Sequence, residues 1–325
     1  MLKFKTLYYI FLLCITTFIS CKKEHIAEVD YRSEMRLFVQ GISAYTKAIQ
    51  PNFIIIPQNG HNLLTLNGTP LGIPATEYIQ AIDGIGREDL FYGYDADDIE
   101  TPIEAKDEMI PFMDIAKQNG LKVLVTDYCS TLSNVDNSYQ HNYTKGYISF
   151  AANHRDLDNI PGYPSPIFNE NSISINTLDS ARNFLYIINT AGYESKNAFI
   201  DAVKHTNYDV IIMDINFNDE FFNAAEINSI KQKANGGLRK VICYMSIGEA
   251  EDYRFYWQSF WKAVPPQWFV AENAAWIGNY KVKYWDKEWQ KVIYGSTYSY
   301  TNRILNAGFD GIYLDIIDAF EYFEN

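Results

Sequence analysis

Apolar residues recur along the chain with two different periods. Met35, Phe38, Ile42, Tyr45 and Ile49 fall three or four apart, which puts them on one face of a helix that Pro51 stops. Residues 53–57 form instead a short unbroken apolar run, the pattern of a strand covered on both faces. The two patterns then alternate to the end of the chain, which predicts parallel strands joined by crossover helices. Strands are expected at 53–57, 79–85, 123–126, 184–188, 210–213, 241–245, 280–284 and 311–314. The run at 280–284 differs from the rest, because Lys281 and Lys283 alternate and give it one wet face. Asn119-Gly120, Asn235-Gly236-Gly237 and Ala307-Gly308 each stand just before a strand, where a helix ends on a left-handed residue.

Eight such strands fit a (β/α)₈ TIM barrel, with an open doubly wound sheet as the alternative. The apolar stretch at 147–152 lies in the least regular part of the chain, 131–176, where Asn, Ser and Pro are frequent. It is expected to be an excursion over the barrel and not a barrel strand.

Ahead of this pattern, Lys3 and Lys5 precede an apolar run over residues 7–19 that ends in Ser20-Cys21. A charged then apolar start is the grammar of an export signal, and the run is too short for a comfortable membrane span. Small residue then Cys resembles the lipobox of bacterial lipoproteins, with Cys21 as the acylated residue. A plain signal peptide or an uncleaved anchor is the alternative. The expected organisation is a signal over 1–21, a tether over 22–30 and one catalytic domain over 31–325. The protein is then exported and held on a bacterial membrane by lipid, at the periplasm or cell surface, and is expected to be a monomer.

Charge narrows the partners. The chain carries 40 Asp and Glu against 27 Lys and Arg, a net charge of −13. Loss of residues 1–20 removes two Lys and leaves 25 against 40, or −15. Nucleic acid is excluded as a natural partner, whereas a neutral or cationic substrate is tolerated. Cys129 and Cys243 sit inside apolar runs and read as buried thiols, with a disulfide between them the alternative in an oxidising compartment. With five His and no ligand-spaced cluster, neither a metal site nor a cofactor is expected. There is no G-x-S-x-G, P-loop or G-x-G-x-x-G motif, which removes the main support for serine-hydrolase, nucleotide and dinucleotide readings.

In a (β/α)₈ barrel the site is built at the C-terminal strand ends. The residues that close the apolar runs are Asn59, Arg87-Glu88-Asp89, Asp127-Tyr128, Asn189, Asp214 with Asn216, Glu249 with Glu251 and Arg254, Trp285-Asp286, and Asp315 with Asp318. Any one of them could be a turn former or a helix cap. Caps do not explain Asp214 and Asp315 closing otherwise apolar runs, because a buried carboxylate is costly unless paired or used. Two carboxylates flanking a bond are what glycoside hydrolysis needs. Tyr128, Tyr244, Tyr253, Tyr256, Trp257, Trp276 and Trp285 offer flat faces for sugar rings, although aromatic residues are more often core.

The segment Val241-Ile-Cys-Tyr-Met-Ser-Ile-Gly-Glu-Ala-Glu-Asp-Tyr-Arg254 resembles a signature of glycoside hydrolase family 114, the endo-α-1,4-polygalactosaminidase-like TIM barrels. Residues 210–214 resemble the family's strand ending in Asp, 276–285 its Trp-containing segment, and 308–315 its Gly-Phe-Asp-Gly strand. The family's remaining strands resemble 53–60, 81–88 and 123–128, which stand before residue 183 instead of after 315. The order therefore looks circularly permuted, which requires the strands at Gly311 and Phe53 to be neighbours. The resemblance implies a catalytic pair at Asp214, as nucleophile or stabilising carboxylate, and Glu251, as acid/base, with Glu249 competing for the second role. It implies sugar contacts by Asn59, Glu88, Arg254 and Asp315, and a polysaccharide substrate such as an amino-sugar polymer cleaved internally; the strand-end positions add Asp127, Tyr128, Tyr244, Glu249 and Trp285 as expected substrate contacts. A non-catalytic glycan-binding lipoprotein and a structural lipoprotein on the same fold are the competing classes.

Overall fold

A computed structural model describes residues 29–324; the expected export signal over 1–21, with Cys21, lies outside the described residues. Among them, no helix is long and apolar enough to cross a membrane. Helix α1 (Tyr31–Ile49) buries Met35, Phe38, Val39 and Ile42, the face anticipated from the spacing. The parallel strands follow: β1 (Ile54–Pro57), β2 (Gly84–Glu88), β3 (Lys122–Tyr128), β4 (Ile148–Ala152), β5 (Phe184–Ile187) and β6 (Val210–Met213). After a two-residue hairpin pair, β7 (Asn216–Phe217) and β8 (Glu220–Phe221), comes β9 (Lys240–Ser246). The short strands β10 (Glu249–Glu251), β11 (Phe269–Glu272) and β12 (Asn279–Val282) then lead to the last parallel strand, β13 (Gly311–Asp315).

The strands form a five-stranded parallel sheet in the order β1-β13-β9-β6-β5 and a three-stranded parallel sheet, β2-β3-β4. The two meet at β1 and β2, through a parallel bridge between Gln58 and Gly86 and the Asn59 N–H donating to Gly86 O at 2.8 Å. At the far seam the rings of Phe150 on β4 and Phe184 on β5 lie 6.0 Å apart. The neighbours required by the permuted order are present, since β1 pairs with β13 over Ile54–Pro57 and Gly311–Leu314. Arg32 at the start of α1 donates to Glu324 at 2.9–3.1 Å, so the two ends of the described chain also meet.

Three expectations are corrected. Residues 79–85 are not one strand: Thr76–Ala81 is helix α2, Ile82 ends it, and the strand begins at Gly84. Two glycines hid that strand from a propensity reading, and close packing explains both. A β-carbon on Gly84 would meet Lys122 O at 2.7 Å, and one on Gly86 would collide with the Tyr313 hydroxyl. The stretch at 147–152 is no excursion: Ile148–Ala152 is wholly buried and pairs in parallel with β3. The run at 280–284 is not a parallel strand; β12 is the middle of an antiparallel sheet with β10 and β11, which accounts for its one wet face.

Helices between the strands keep the local rules. Helix α3 (Ile103–Gln118) is followed by Gly120 at φ +80°, and α4 (Leu132–Lys145) and the helix Tyr300–Ala307 end on left-handed Gly146 and Gly308. Irregular residues 153–183 are fastened from below by one buried ion pair. Lys233 Nζ lies 2.9 Å from Asp209 Oδ1 with both side chains at 0 % exposure. Asp209 also accepts from Asn171 and the Arg182 N–H, while Lys233 donates to Asn171 O. Removing one member leaves an uncompensated buried charge. Asp209→Ala is expected to cost roughly 3–5 kcal/mol in urea unfolding; a loss below about 1 kcal/mol would contradict this role for the pair.

Candidate active site

The C-terminal ends of the parallel strands surround a cavity of about 850 Å³. Strand alternation decides which side chains reach it. On β3, Tyr128 faces the cavity while its neighbour Asp127 points away and is fully buried. Asp127 accepts from the N–H groups of Phe91 (2.8 Å) and Tyr92 (3.3 Å), from Ser138 Oγ (2.6 Å) and from Asn142 Nδ2 (3.0 Å). It ties α4 to the loop after β2, so the expectation of substrate contact at Asp127 is corrected. Trp285 is corrected too: it packs against Tyr31 and Phe323, with ring centroids at 5.1 and 4.7 Å, away from the cavity. Asp286 is only a helix cap, accepting from the Glu288 N–H.

The other expected residues, Asn59, Glu88, Tyr128, Asp214, Tyr244, Glu249, Glu251, Arg254 and Asp315, all line this one cavity. They come from β1, β2, β3, β6, β9, β10, the turn after β10, and β13. At their centre is Arg254, buried at 6 % exposure. Its Nε donates to Glu251 Oε2 at 2.6 Å and its NH1 donates to Asp214 at 2.8 Å, so one guanidinium joins the two carboxylates. The Tyr253 hydroxyl donates to the other Glu251 oxygen at 2.5 Å, and the Glu251 N–H donates to the Tyr256 hydroxyl at 3.0 Å. Glu249 is held separately, by Asn273 at 2.8 Å and Lys281 at 3.7 Å, and its Oε2 has no partner. Burial pushes Asp214 above the ordinary carboxylate value, against the pull of Arg254.

A second carboxylate group occupies the side of the cavity where β13, β1 and β2 adjoin. Glu88 accepts from Gln58 Nε2 and the Tyr128 hydroxyl in short hydrogen bonds, and from Asn59 Nδ2 at 3.1 Å. Asn59 reaches it from a left-handed turn, φ +61°, a conformation that Asn tolerates. Asp315 accepts from the Tyr244 hydroxyl at 2.6 Å and from the Ile316 N–H at 2.8 Å. That amide is aimed by Ile316 at φ +56°, strained for a β-branched residue by about 1–3 kcal/mol, which the surrounding packing must offset. Burial, and then the neighbouring Glu88 charge, push Asp315 up to about 7.

Three of the seven tyrosines and tryptophans proposed as sugar platforms, Tyr256, Trp257 and Trp285, do not line the cavity. Trp257 stacks on Tyr280 at 5.0 Å inside the small antiparallel layer, and Tyr256 is 8 % exposed. Tyr253 and Trp276, at 59 % and 66 %, are the exposed aromatic faces on the cavity. Sequence reasoning missed Arg155, Tyr186 and Gln58. Arg155 comes from the irregular segment, where nothing predicts its direction. Tyr186 and Gln58 hydrogen-bond each other at 2.9 Å, and strand alternation could have pointed to Tyr186. Cys129 and Cys243 are buried free thiols, as anticipated.

The ends of the parallel strands thus gather carboxylates around one cavity, an arrangement of the kind that two-carboxylate hydrolysis uses. Residues 174–325, the stretch that carries β5, β6, β9 and β13, match the model of glycoside-hydrolase family GH114. The family indicates a glycosidase. An uncharacterised protein of Methanocaldococcus jannaschii is 38% identical over 156 residues, covering 47% of this chain and 41% of the relative. An uncharacterised protein of Thermotoga maritima is 38% identical over 130 residues, covering 40% and 39%. One of Deinococcus radiodurans is 36% identical over 128 residues, covering 39% and 38%. The matched segment thus spans about two fifths of the length of these relatives.

Asp315 supplies a pH signature. Its folded value, about 7, lies above the ordinary 3.8, so the folded protein holds this proton when the unfolded chain has released it. The resulting stabilisation is complete below pH about 4 and is lost as pH rises through about 7. Asp315→Asn, which keeps acceptors for Tyr244 and Ile316, is expected to melt roughly 2–6 °C above wild type at pH 8 and level with it near pH 4. An equal difference at both pH values would contradict this.

Proposed function

We propose that the chain is an extracytoplasmic, lipid-anchored glycoside hydrolase, built on a circularly permuted (β/α)₈ barrel, that cleaves an amino-sugar polysaccharide internally. Asp214 serves as nucleophile or charge-stabilising carboxylate and Glu251 as acid/base. The observation that carries this is the Arg254 guanidinium, which joins these two carboxylates and leaves Glu249 outside the set. A two-carboxylate mechanism needs groups whose positions are fixed on either side of the scissile bond, and one buried cation fixes both. The Arg254 charge offsets part of the cost that burial puts on ionised Asp214.

The permutation is supported by the strand order. Four strands of the family match, β5, β6, β9 and β13, are followed around the structure by β1, β2 and β3. The substrate class is supported by charge: eight carboxylates line the cavity against two guanidiniums, Arg155 and Arg254. Arg155 is committed to Asp89 and Asp97, and Arg254 to the catalytic pair, so the cavity carries excess negative charge. A second reading, glycan binding without cleavage, is favoured by one observation: both oxygens of Glu251 are already engaged, by Arg254 and Tyr253.

Incubation with partly deacetylated galactosamine polymers and a panel of other glycans, with new reducing ends measured, separates these readings. Asp214→Asn and Glu251→Gln are each expected to lower kcat by roughly 10²–10⁴-fold with the fold retained. Full activity in both variants would refute the pair, and binding without turnover by the wild type would select the binding reading.

A further inference from the structure

The loop that follows β1 differs from the rest of this acidic chain, because residues 62–76 carry no charged side chain. Its turn is built and not slack. Thr65 and Pro74 form an antiparallel bridge, the Leu66 N–H donates to Ile73 O at 2.8 Å, and the Gly72 N–H donates to Thr69 O at 2.9 Å. Buried Arg36 of α1 holds the base, donating to Leu63 O at 2.9 Å and to Thr65 O at 2.6 Å. The hairpin so fixed lifts three aliphatic side chains into solvent: Leu71 is 100 % exposed, Ile73 72 % and Leu66 56 %. None of the three lines the cavity. A rigid, uncharged turn that displays branched aliphatic groups marks a contact with something apolar. The chain also enters the domain at this corner. Helix α1 ends at Ile49, just before β1 begins at Ile54, so its first turn stands at the other end, on the face where the cavity opens. Arg32 in that turn lies against Gly68 of the hairpin, where a β-carbon would collide with it. Ten residues separate Cys21 from Tyr31, at most about 36 Å of extended chain.

We propose that this hairpin docks on a lipid bilayer, with Leu66, Leu71 and Ile73 entering its interfacial layer, and so holds the cavity face beside the membrane. The proposal rests on the lipid-anchor reading of Cys21 given above and on no feature of the reaction. The tether length favours lipid as the occupant, since an anchor at Cys21 keeps the first turn of α1, and the hairpin mounted on it, within reach of the membrane surface. The chemistry of the tip favours it too. Residues 62–76 hold no ion that would have to shed water on entering the interface, whereas the apolar area of three aliphatic side chains is removed from it. A sugar chain would call for flat rings and side-chain hydrogen bonds, and the tip presents branched aliphatic groups instead. A flexible tether alone leaves the domain free to turn, and the hairpin selects the face that it turns to the bilayer. The polymer that reaches the cavity is then the polymer lying at the membrane surface.

The test uses the full chain with phosphatidylcholine vesicles that carry a quencher near the top of the acyl chains. An environment-sensitive fluorophore is placed on Leu71→Cys or, for comparison, on Ile49→Cys at the far end of α1, about 27 Å along the helix. Both positions are exposed and Cys129 and Cys243 are buried, so the chain without an added Cys gives the background from Cys14 and Cys21. The label at 71 is expected to be quenched at least about threefold more than the label at 49, and adding Ile73→Asp is expected to remove most of that difference. Equal quenching at the two sites in vesicle-bound chain overturns the proposal and leaves the anchor reading standing. A difference that Ile73→Asp leaves untouched overturns it too, as does a label at 71 already shielded before lipid is added, which is what contact with a second copy of the chain would give. A chain that fails to float with the vesicles removes the anchor reading, and the hairpin is then judged by the same quenching on mixing with excess lipid: a preference for 71 sustains the proposal and its absence overturns it.

Discussion

One buried guanidinium organises the site. Arg254 reaches Asp214 at the end of β6 and Glu251 on β10, so it couples the parallel sheet to the antiparallel layer that covers one edge of it. Without it, two carboxylates would be held in a poorly solvated cavity with only hydroxyls and amides to answer them. With it, their positions are fixed and the neighbouring elements have a reason for their shape. The turn after β10 places Tyr253 and Tyr256 on either side of Glu251. The aromatic layer of Trp257, Trp261, Trp268 and Tyr280 makes that turn rigid rather than making it a sugar platform.

The same logic, inverted, applies across the cavity. Glu88 and Asp315 are held by neutral donors from β1, β3 and β9, on a backbone strained at Ile316.

Much of this was legible from residue patterns. Apolar runs located β1, β3, β5, β6, β9 and β13, and the acids closing them located most of the rim. The misses have physical causes. β2 was misplaced because Gly84 and Gly86, chosen for close packing, carry no strand propensity. β4 was dismissed because its surroundings are polar, yet a strand buried on both faces needs only its own apolar run. Asp127 and Trp285 closed runs as the cavity-lining residues do, but the side to which a strand-end residue turns depends on the partners that await it. Asp127 is met by Ser138, Asn142 and two amides; Trp285 is met by Tyr31 and Phe323. Those partners lie far along the chain, or on another element, and no local pattern reveals them.

The central claim is that the Arg254-linked carboxylates hydrolyse a glycosidic bond. It is tested most directly by running the reaction with an amino-sugar polymer in H₂¹⁸O and weighing the products by mass spectrometry. Hydrolysis predicts one ¹⁸O at each newly formed reducing end and none elsewhere. Products free of ¹⁸O, or a polymer left intact by folded protein across the glycan panel, would contradict it.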